Sequence, residues 1–260
     1  MLQQMYGFPE GQILGFALVL LRMLSFTIAM PIIGTPQVPT SVKILFPLII
    51  SVLLHPIAVA RAGSALPIDE TVILLAGREV LIGVFLGFFV RMFFFAVSVA
   101  GEIISTASGL ASAQVFNPAM GTNSGIMEQF QLLLATLVFL AINGHHFFIE
   151  GISKSFEFLP IGIVGFNVNV FGSLIEVLPT VMVMGCQLAM PITVSMLITH
   201  LTMGIVGKAV PQINVLMTSL QVTILVTMVV LTISVPMTTS TMNNMLGEMM
   251  GHFSKVLKAF

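Results

Sequence analysis

Five ionisable side chains lie within or at the edges of strongly apolar stretches: Arg22, Arg78, Glu79, Arg91 and Glu102. Such groups are costly in an apolar segment and usually form ion pairs or take part in functions such as proton relay. On a helix, a partner would stand three or four residues away, and no carboxylate does so for Arg78 or Arg91. Arg91 and Glu102 share a helical face but lie about 16 Å apart along it. We therefore expect partners on other helices or other chains, the alternative being that charges near helix ends extend to a polar interface.

Other residue types that often carry chemistry do not form a recognisable site. His145 and His146 follow an Asn-Gly turn, and Glu150 is the only further metal-binding side chain nearby, so we expect a structural turn and no metal. The lone Cys186 excludes an intrachain disulfide. The sequence lacks a Walker loop and a Gly-x-Ser-x-Gly elbow. We expect neither catalysis nor a cofactor.

Composition places the chain in a membrane. Of its 260 residues, 57% are hydrophobic and only 7% are charged, and the mean hydropathy is +1.10. Soluble proteins contain about 25% charged residues. The net charge of −1 provides no basic surface for nucleic acid.

The apolar residues are grouped in six charge-poor segments, separated by Gly, Pro and Asn turn signals. Most are long enough to span a bilayer, which takes about 20 residues. They predict an all-α, membrane-type fold of helical hairpins, in which interior prolines kink or interrupt the helices. The segments are residues 13–33, 42–60, 71–97, 128–149, 171–206 and 216–235.

A small, polar stretch at residues 98–125 interrupts this apolar pattern. It is rich in Gly, Ser and Thr, contains Asn117-Pro118, and has Glu102 as its only charge. Because lipid does not tolerate exposed irregular backbone, the stretch must be shielded by protein or line a watery passage. We expect a movable stopper of a conduit, with Phe116, Met120 and Met127 as an apolar seal, and an inert buried connection as the alternative. Residues 98–108 are expected to be close-packed helix.

The chain lacks the aromatic residues that usually mark the two membrane interfaces. It has no Trp and one Tyr, but 21 Phe and 19 Met. Met is flexible and suits surfaces that fit several neighbours. We therefore expect much of the surface to contact other subunits.

Two groups of short sequence strings resemble the signatures of the FliR family. The first contains Gly-Leu-Ala-Ser at 109–112, Phe-Asn-Pro-Ala-Met-Gly at 116–121 and Asn-Gly-His-His at 143–146. The second is Gly-Lys-Ala-Val-Pro-Gln-Ile-Asn-Val at 207–215. The family comprises export-gate proteins of flagellar type III secretion, with virulence counterparts called SctT, and the resemblance extends over essentially the whole chain.

The resemblance implies a non-enzymatic subunit of a gate that exports unfolded flagellar proteins. Its partners would be FliP-like and FliQ-like subunits, a FlhB-like protein and the unfolded substrates. Residues 1–170 would form a FliP-like part and residues 171–260 a FliQ-like part. The gate would lie in the bacterial inner membrane at the flagellar basal body, lifted largely above the bilayer plane.

The intersubunit charges predicted from helical spacing are Arg78, Glu79, Arg91 and Glu102. A virulence-type gate subunit and a secondary transporter of small solutes remain the alternative functions. The resemblance also assigns roles to residues. The channel plug, at about residues 109–124, would comprise Gly109, Ser112, Phe116, Asn117, Pro118, Met120, Gly121 and Asn123. The turn signatures are Asn143, Gly144, His145, Pro211, Gln212 and Asn214.

Overall fold

The structure is a computed structural model and describes residues 10–35, 38–62, 71–110, 125–163, 169–212 and 214–259. Within these ranges the chain forms seven α-helices and no β-strand. This confirms the all-α prediction. The helices are α1 (Glu10–Ala29), α2 (Thr40–Ala62), α3 (Val72–Ala107), α4 (Ile126–Ala141), α5 (Gly144–Phe158), α6 (Asn169–Ala209) and α7 (Val215–Ala259).

In the described ranges, five helices are long and apolar enough to cross a membrane: α1, α2, α3, α6 and α7. The predicted segment 128–149 is not one straight helix. It divides into α4 and α5, which meet at an angle of 71° and make a sixth candidate if counted together. The break lies at Asn143, whose φ of 57° is left-handed and cannot continue a right-handed helix.

Helix ends differ from the predicted boundaries in several places. Helix α3 continues ten residues beyond 97, so residues 98–107 are helical as expected. Helix α7 is much longer than the predicted segment 216–235. The interior prolines do not interrupt helices in the described ranges, because α2, α6 and α7 continue through theirs, and the expected kinks stay a prediction. Apolar helices tolerate proline when neighbouring groups satisfy the freed backbone.

The described chain divides into two compact units. Unit 1 comprises residues 1–92, 144–177 and 249–260, and unit 2 comprises residues 93–143 and 178–248. The long helices α3, α6 and α7 each contribute residues to both units. The sequence-based division at about residue 170 concerns likeness to two partner families, and it stays a prediction.

The core of unit 1 is built from apolar side chains of several helices. Phe89 of α3 packs against Phe253 of α7, with ring centroids 5.3 Å apart. Gly151 of α5 lies directly beneath the Phe253 ring, where a larger residue would collide with it. Helix α1 contributes the buried Leu18 and Met23.

The core of unit 2 contains an aromatic cluster and a close helix contact. Phe93, Phe94 and Phe139 have ring centroids between 5.2 and 6.3 Å apart, the separation typical of favourable aromatic pairs. Gly185 of α6 lies against the backbone of α3, because a Cβ added there would be 2.8 Å from the carbonyl oxygen of Ala96.

Close packing of α1 on α3 depends on Gly83 and Gly87, the small-residue pair expected from their four-residue spacing. A Cβ at Gly83 would collide with the Ser25 hydroxyl and the Arg22 carbonyl oxygen. A Cβ at Gly87 would lie 2.5 Å from the Ala29 Cβ. Larger residues at these two positions would force the helices apart.

We expect Gly83→Ala to destabilise unit 1 by about 1–3 kcal/mol, the usual effect of overpacking a tight core. Gly77 lies on the same helix and has open space around its Cα. Gly77→Ala should therefore leave stability unchanged or raise it, since Ala is the better helix former. The measurement is the temperature at which the detergent-solubilised chain loses its monodisperse chromatographic peak. A similar change in both variants would contradict the packing argument.

Candidate functional site

A fully buried ion pair joins α1 to α3 in unit 1. The Arg22 Nε donates to Glu79 Oε2 at 2.5 Å, and neither side chain is exposed to solvent. The two residues are 57 positions apart in sequence. Arg22 and Glu79 therefore find an interhelical partner within the same chain and do not extend to an interface.

The rest of the Arg22 guanidinium is also satisfied, by residues at the end of α5. Its Nη1 donates to Ser155 Oγ at 3.1 Å, and its Nη2 donates to the Leu159 carbonyl oxygen at 2.9 Å. The guanidinium carbon lies 4.2 Å from the centroid of the Phe156 ring, a cation–π distance. One side chain thus connects three helices.

Arg78 joins the same cluster, and here the expectation of no local partner is wrong. Its Nη1 lies 3.4 Å from Glu79 Oε1 and donates to the Pro160 carbonyl oxygen at 3.0 Å. The helix-spacing argument considered partners three or four residues away. A long arginine can instead curl back to its sequence neighbour when another helix holds that carboxylate in place.

This arrangement, hereafter the charge cluster (Arg22, Arg78 and Glu79), carries two positive charges and one negative charge. The carbonyl oxygens of Leu159 and Pro160, just beyond the last turn of α5, accept hydrogen bonds from the two arginines. Cations are stabilised at the carboxyl end of a helix, where the backbone dipoles place partial negative charge. The charge cluster therefore holds α1, α3 and the end of α5 together.

Arg91 and Glu102 do not belong to the charge cluster. Both side chains are exposed on α3. Within the described ranges, neither forms an ion pair. Their proposed contact with other subunits stays a prediction.

A second arrangement of polar residues lies in unit 2, where the end of α3 meets the start of α4. The Ser98 hydroxyl donates to Glu128 Oε1. Gly101 faces the Glu128 backbone, since an added Cβ would be 2.5 Å from the Glu128 Cα. One turn further on, a Cβ at Gly125 would lie 2.8 Å from Ser105 Oγ. We call this contact the α3–α4 junction (Ser98, Gly101, Ser105, Gly125 and Glu128).

The end of α3 is defined by glycine and by a contact from α6. Gly109 has a φ of +76°, the left-handed conformation that commonly ends a helix. The Ser108 amide still donates to Ile104, while the Gly109 amide donates to Thr106. His200 Nε2 of α6 lies 3.1 Å from the carbonyl oxygen of Ala107, the last residue of α3.

The α3–α4 junction lies where the chain leaves α3 and where it enters α4, on either side of the segment predicted to be the plug. Of the proposed plug residues, Gly109 lies in the described part, at the turn that ends α3. The remaining ones lie outside the described residues: Ser112, Phe116, Asn117, Pro118, Met120, Gly121 and Asn123.

The first turn signature forms the bend between α4 and α5. Asn143 adopts the left-handed conformation, and Gly144, the first residue of α5, is buried. The rings of His145 and His146 pack edge to face, with centroids 4.3 Å apart. The described residues contain no group of three metal-binding side chains.

The second signature connects α6 to α7. Pro211 and Gln212 lie in an exposed turn. Asn214 precedes α7 and acts as its N-cap: its Oδ1 accepts a hydrogen bond from the Met217 amide at 3.3 Å. The predicted turn at 207–211 begins later than expected, because α6 continues to Ala209.

Comparison with known proteins identifies the family. The sequence profile described as "Bacterial export proteins, family 1" matches residues 13–249. The chain belongs to the FliR family of bacterial export proteins. It is similar to the flagellar biosynthetic protein FliR of Bacillus subtilis (strain 168), with 31% identity over 208 residues that cover 79% of this chain and 80% of that protein.

Other relatives carry the same name. The FliR of Caulobacter vibrioides is 33% identical over 199 residues, which cover 75% of this chain and 78% of that protein. The FliR of Escherichia coli (strain K12) is 28% identical over 239 residues, covering 92% and 90%. The family match includes the charge cluster, the α3–α4 junction and both turn signatures.

Several residues that contribute to these arrangements were not identified from sequence. Ser155 was hidden because its partner Arg22 lies 133 residues away. Glu128 and His200 had a visible signal, namely a titratable side chain in an apolar segment, the same signal that singled out Arg22 and Glu102. Gly101 resembles any other membrane-helix glycine until the neighbouring backbone is known.

We expect Glu79→Ala to destabilise the protein by about 3–5 kcal/mol, because it leaves two buried guanidinium groups without a counter-charge. The matched comparison is Glu157→Ala, which breaks the exposed 2.9 Å pair between Arg61 and Glu157. An exposed pair contributes at most about 1 kcal/mol. Thermal unfolding of the purified chain in detergent measures both.

A third variant separates the loss of charge from the loss of side-chain volume. Glu79→Gln keeps the shape and one acceptor oxygen but removes the charge. It should destabilise the protein less than Glu79→Ala but clearly more than Glu157→Ala. Equal unfolding temperatures for Glu79→Ala and Glu157→Ala would show that the buried pair does not hold the three helices together.

Proposed function

We propose that the chain is a non-enzymatic structural and gating subunit of the flagellar type III export gate, which helps to form and close the channel for unfolded flagellar proteins. The observation that carries this proposal is the family match along residues 13–249. The relatives described above bear the name flagellar biosynthetic protein. The long apolar helices agree with a membrane-embedded component.

We propose that the residues at about 109–124 plug the closed channel. The α3–α4 junction supports this assignment because it places the exit from α3 beside the entry to α4. A segment whose two ends are close can be displaced without pulling the flanking helices apart. In this proposal the Gly109 turn directs the chain out of α3, and Phe116 and Met120 supply the apolar seal.

The proposed partners are FliP-like and FliQ-like subunits, a FlhB-like protein and the unfolded substrates, in the bacterial inner membrane at the flagellar basal body. The surface supports an assembly, since large apolar side chains are exposed on α2, α3, α6 and α7. Isolated soluble chains rarely expose contiguous apolar patches of this kind. Lipid and neighbouring subunits are the environments that would cover them.

The two alternatives have less support. A secondary transporter would need its intramembrane charges to face a solute site, but Arg22, Arg78 and Glu79 are bound to one another and to groups of α5. A virulence-type gate subunit is disfavoured because the relatives compared above are named flagellar proteins.

We expect deletion of residues 112–120 to make the membrane permeable to small molecules while the gate still assembles in part. The α3–α4 junction makes this deletion practicable, since the residues that remain between Leu110 and Gly125 have to connect two helix ends that already lie together. The measurement is uptake of a normally excluded small dye by cells that express the variant, alongside flagellar protein secretion.

A variant of unchanged length provides the control for shortening. Replacing residues 112–120 by nine Gly and Ser residues removes Phe116 and Met120 but preserves chain length, so it should also leak. Unchanged permeability together with unchanged secretion in both variants would contradict the plug assignment.

We expect Arg91→Ala or Glu102→Ala to reduce recovery of the partner subunits, because removing one member of a pair leaves its partner uncompensated at the contact. Arg61→Ala is the matched control, since Arg61 is exposed and pairs with Glu157 inside the chain. Co-purification of FliP-like and FliQ-like proteins measures the effect. Normal recovery and normal motility in both variants would exclude these charges from the subunit contact.

A further inference from the structure

His200 stands out from the apolar surface of α6. Between Glu176 and Lys208, it is the only Asp, Glu, Lys, Arg or His in the sequence. The exposed side chains beside it on the helix, Leu197 and Leu201, are large and apolar. Ionisable residues are rare and costly in such apolar helices and usually have a functional role. The contacts of His200 therefore indicate what that role is.

The His200 ring binds the carboxyl end of α3. Its Nε2 lies 3.1 Å from the carbonyl oxygen of Ala107, a residue 93 positions away in sequence. A carbonyl oxygen can only accept a hydrogen bond, so Nε2 carries the hydrogen and donates it, as both a neutral and a protonated ring can do. A donor is favourable at this place, because the backbone dipoles of α3 put partial negative charge at its carboxyl end.

This hydrogen bond holds the peptide unit at which the chain leaves α3. The Ala107 carbonyl belongs to the planar peptide between Ala107 and Ser108, so a donor on its oxygen restrains the orientation of the whole unit. Gly109 follows directly, with the φ of +76° that ends the helix. The orientation of the held peptide therefore sets the direction in which the chain enters the Gly109 turn.

Helix α7 contacts the same turn. A Cβ added at Gly109 would lie 3.5 Å from Leu220 Cδ1, an ordinary van der Waals distance, so the Leu220 side chain lies beside the turn. All of these residues belong to unit 2. Helices α6 and α7 thus supply a hydrogen-bond donor and an apolar side chain to the end of α3.

The bonds that α3 makes to itself cannot replace the one from His200. The Ser108 amide donates to the Ile104 carbonyl oxygen at 2.9 Å, and the Gly109 amide donates to that of Thr106 at 3.2 Å. Such short-range bonds move together with the end of the helix. A bond from α6 instead fixes that end relative to a second helix.

We propose that His200 is a positioning residue of the gate: by binding the carbonyl oxygen of Ala107, it holds the start of the proposed plug segment in its closed position. The inference rests on the proposed function, because it takes the residues at about 109–124 to be the plug. It adds a residue from a distant part of the sequence that determines where this segment begins.

Three variants separate the hydrogen bond from the other contributions of the side chain. His200→Leu removes the donor but keeps a large side chain on a surface that is already apolar. His200→Gln keeps an amide N–H that can donate to the same oxygen. His55→Leu is the matched control, since His55 Nε2 of α2 lies 3.2 Å from the Gln12 carbonyl oxygen of α1, an equivalent contact in unit 1.

A cysteine at the end of α3 reports directly on its position. Ser108 is fully buried, and its hydroxyl donates to the Ser105 carbonyl oxygen. A Ser108→Cys thiol should therefore react slowly with a maleimide in the purified gate. The exposed Cys186 is first replaced by Ser, so that the new thiol is the only one in the chain.

We expect His200→Leu to raise the labelling rate of the Ser108→Cys thiol several-fold, because the end of α3 is released. His200→Gln and His55→Leu should leave the rate near that of the unsubstituted background. If Ser108→Cys prevents accumulation of the chain, Ser105→Cys, which is also buried, takes its place.

Dye uptake by living cells measures the consequence for the gate. In the otherwise native chain, His200→Leu should raise uptake several-fold, while recovery of the partner subunits stays unchanged. His200→Gln and His55→Leu should behave like the native chain. A merely structural role for His200 would instead lower recovery of the chain without causing a leak that the glutamine variant repairs.

An unchanged labelling rate in His200→Leu would overturn the proposal, and so would equal leaks in His200→Leu and His200→Gln. Faster labelling without dye uptake would also overturn it, provided that the 112–120 deletion leaks. If neither His200→Leu nor the deletion leaks, the plug assignment itself is rejected. Comparison with the deletion therefore distinguishes failure of this inference from failure of the proposed function.

Discussion

The buried pair between Arg22 and Glu79 constrains the fold of unit 1 more than any other interaction described. Both side chains are removed from solvent in one of the most apolar parts of the chain. Separating two such ions without solvent or another partner is strongly unfavourable, so α1 and α3 must meet at this register. Arg78 adds a second positive charge, which the structure offsets with carbonyl oxygens beyond the end of α5. The two arginines thereby bind the carboxyl end of α5, where Pro160 already prevents the helix from continuing.

Small residues make this pairing possible. Glu79, Gly83 and Gly87 recur every four residues and so lie on one face of α3. Opposite them, Arg22 and Ala29 lie on α1. Without side chains at the two glycines, the backbones approach closely enough for the carboxylate to reach the Arg22 Nε. Unit 2 uses a similar combination, in which Gly101 lets α4 approach α3 and the hydroxyl of Ser98 binds the Glu128 carboxylate.

Sequence patterns predicted the parts of this molecule that depend on local spacing. The apolar segments, the close packing at Gly83 and Gly87 and the bend at Asn143-Gly144 all follow from residues near one another in the chain. The 71° angle at that bend could not be predicted in this way. The apolar residues run through it without a break, and the bend depends on the left-handed backbone of a single residue, Asn143. The partners of Arg22 were equally hidden. Ser155 and the Leu159 carbonyl lie more than 130 positions away, and a backbone carbonyl has no residue signature at all.

The α3–α4 junction explains how a polar segment can be placed between two apolar helices without weakening them. Because Gly125 already rests on Ser105, the helix ends are held together by their own packing and do not rely on the chain between them. The entropy of joining two helix ends rises only slowly with the number of residues between them, so the α3–α4 junction sets little limit on the length of the connecting sequence. The composition of the residues between α3 and α4 is then free to meet a functional requirement, such as the proposed closure of the channel. A Gly, Ser and Asn-Pro sequence, unfavourable for an apolar helix, is compatible with this position only because α3 and α4 are completed independently of it.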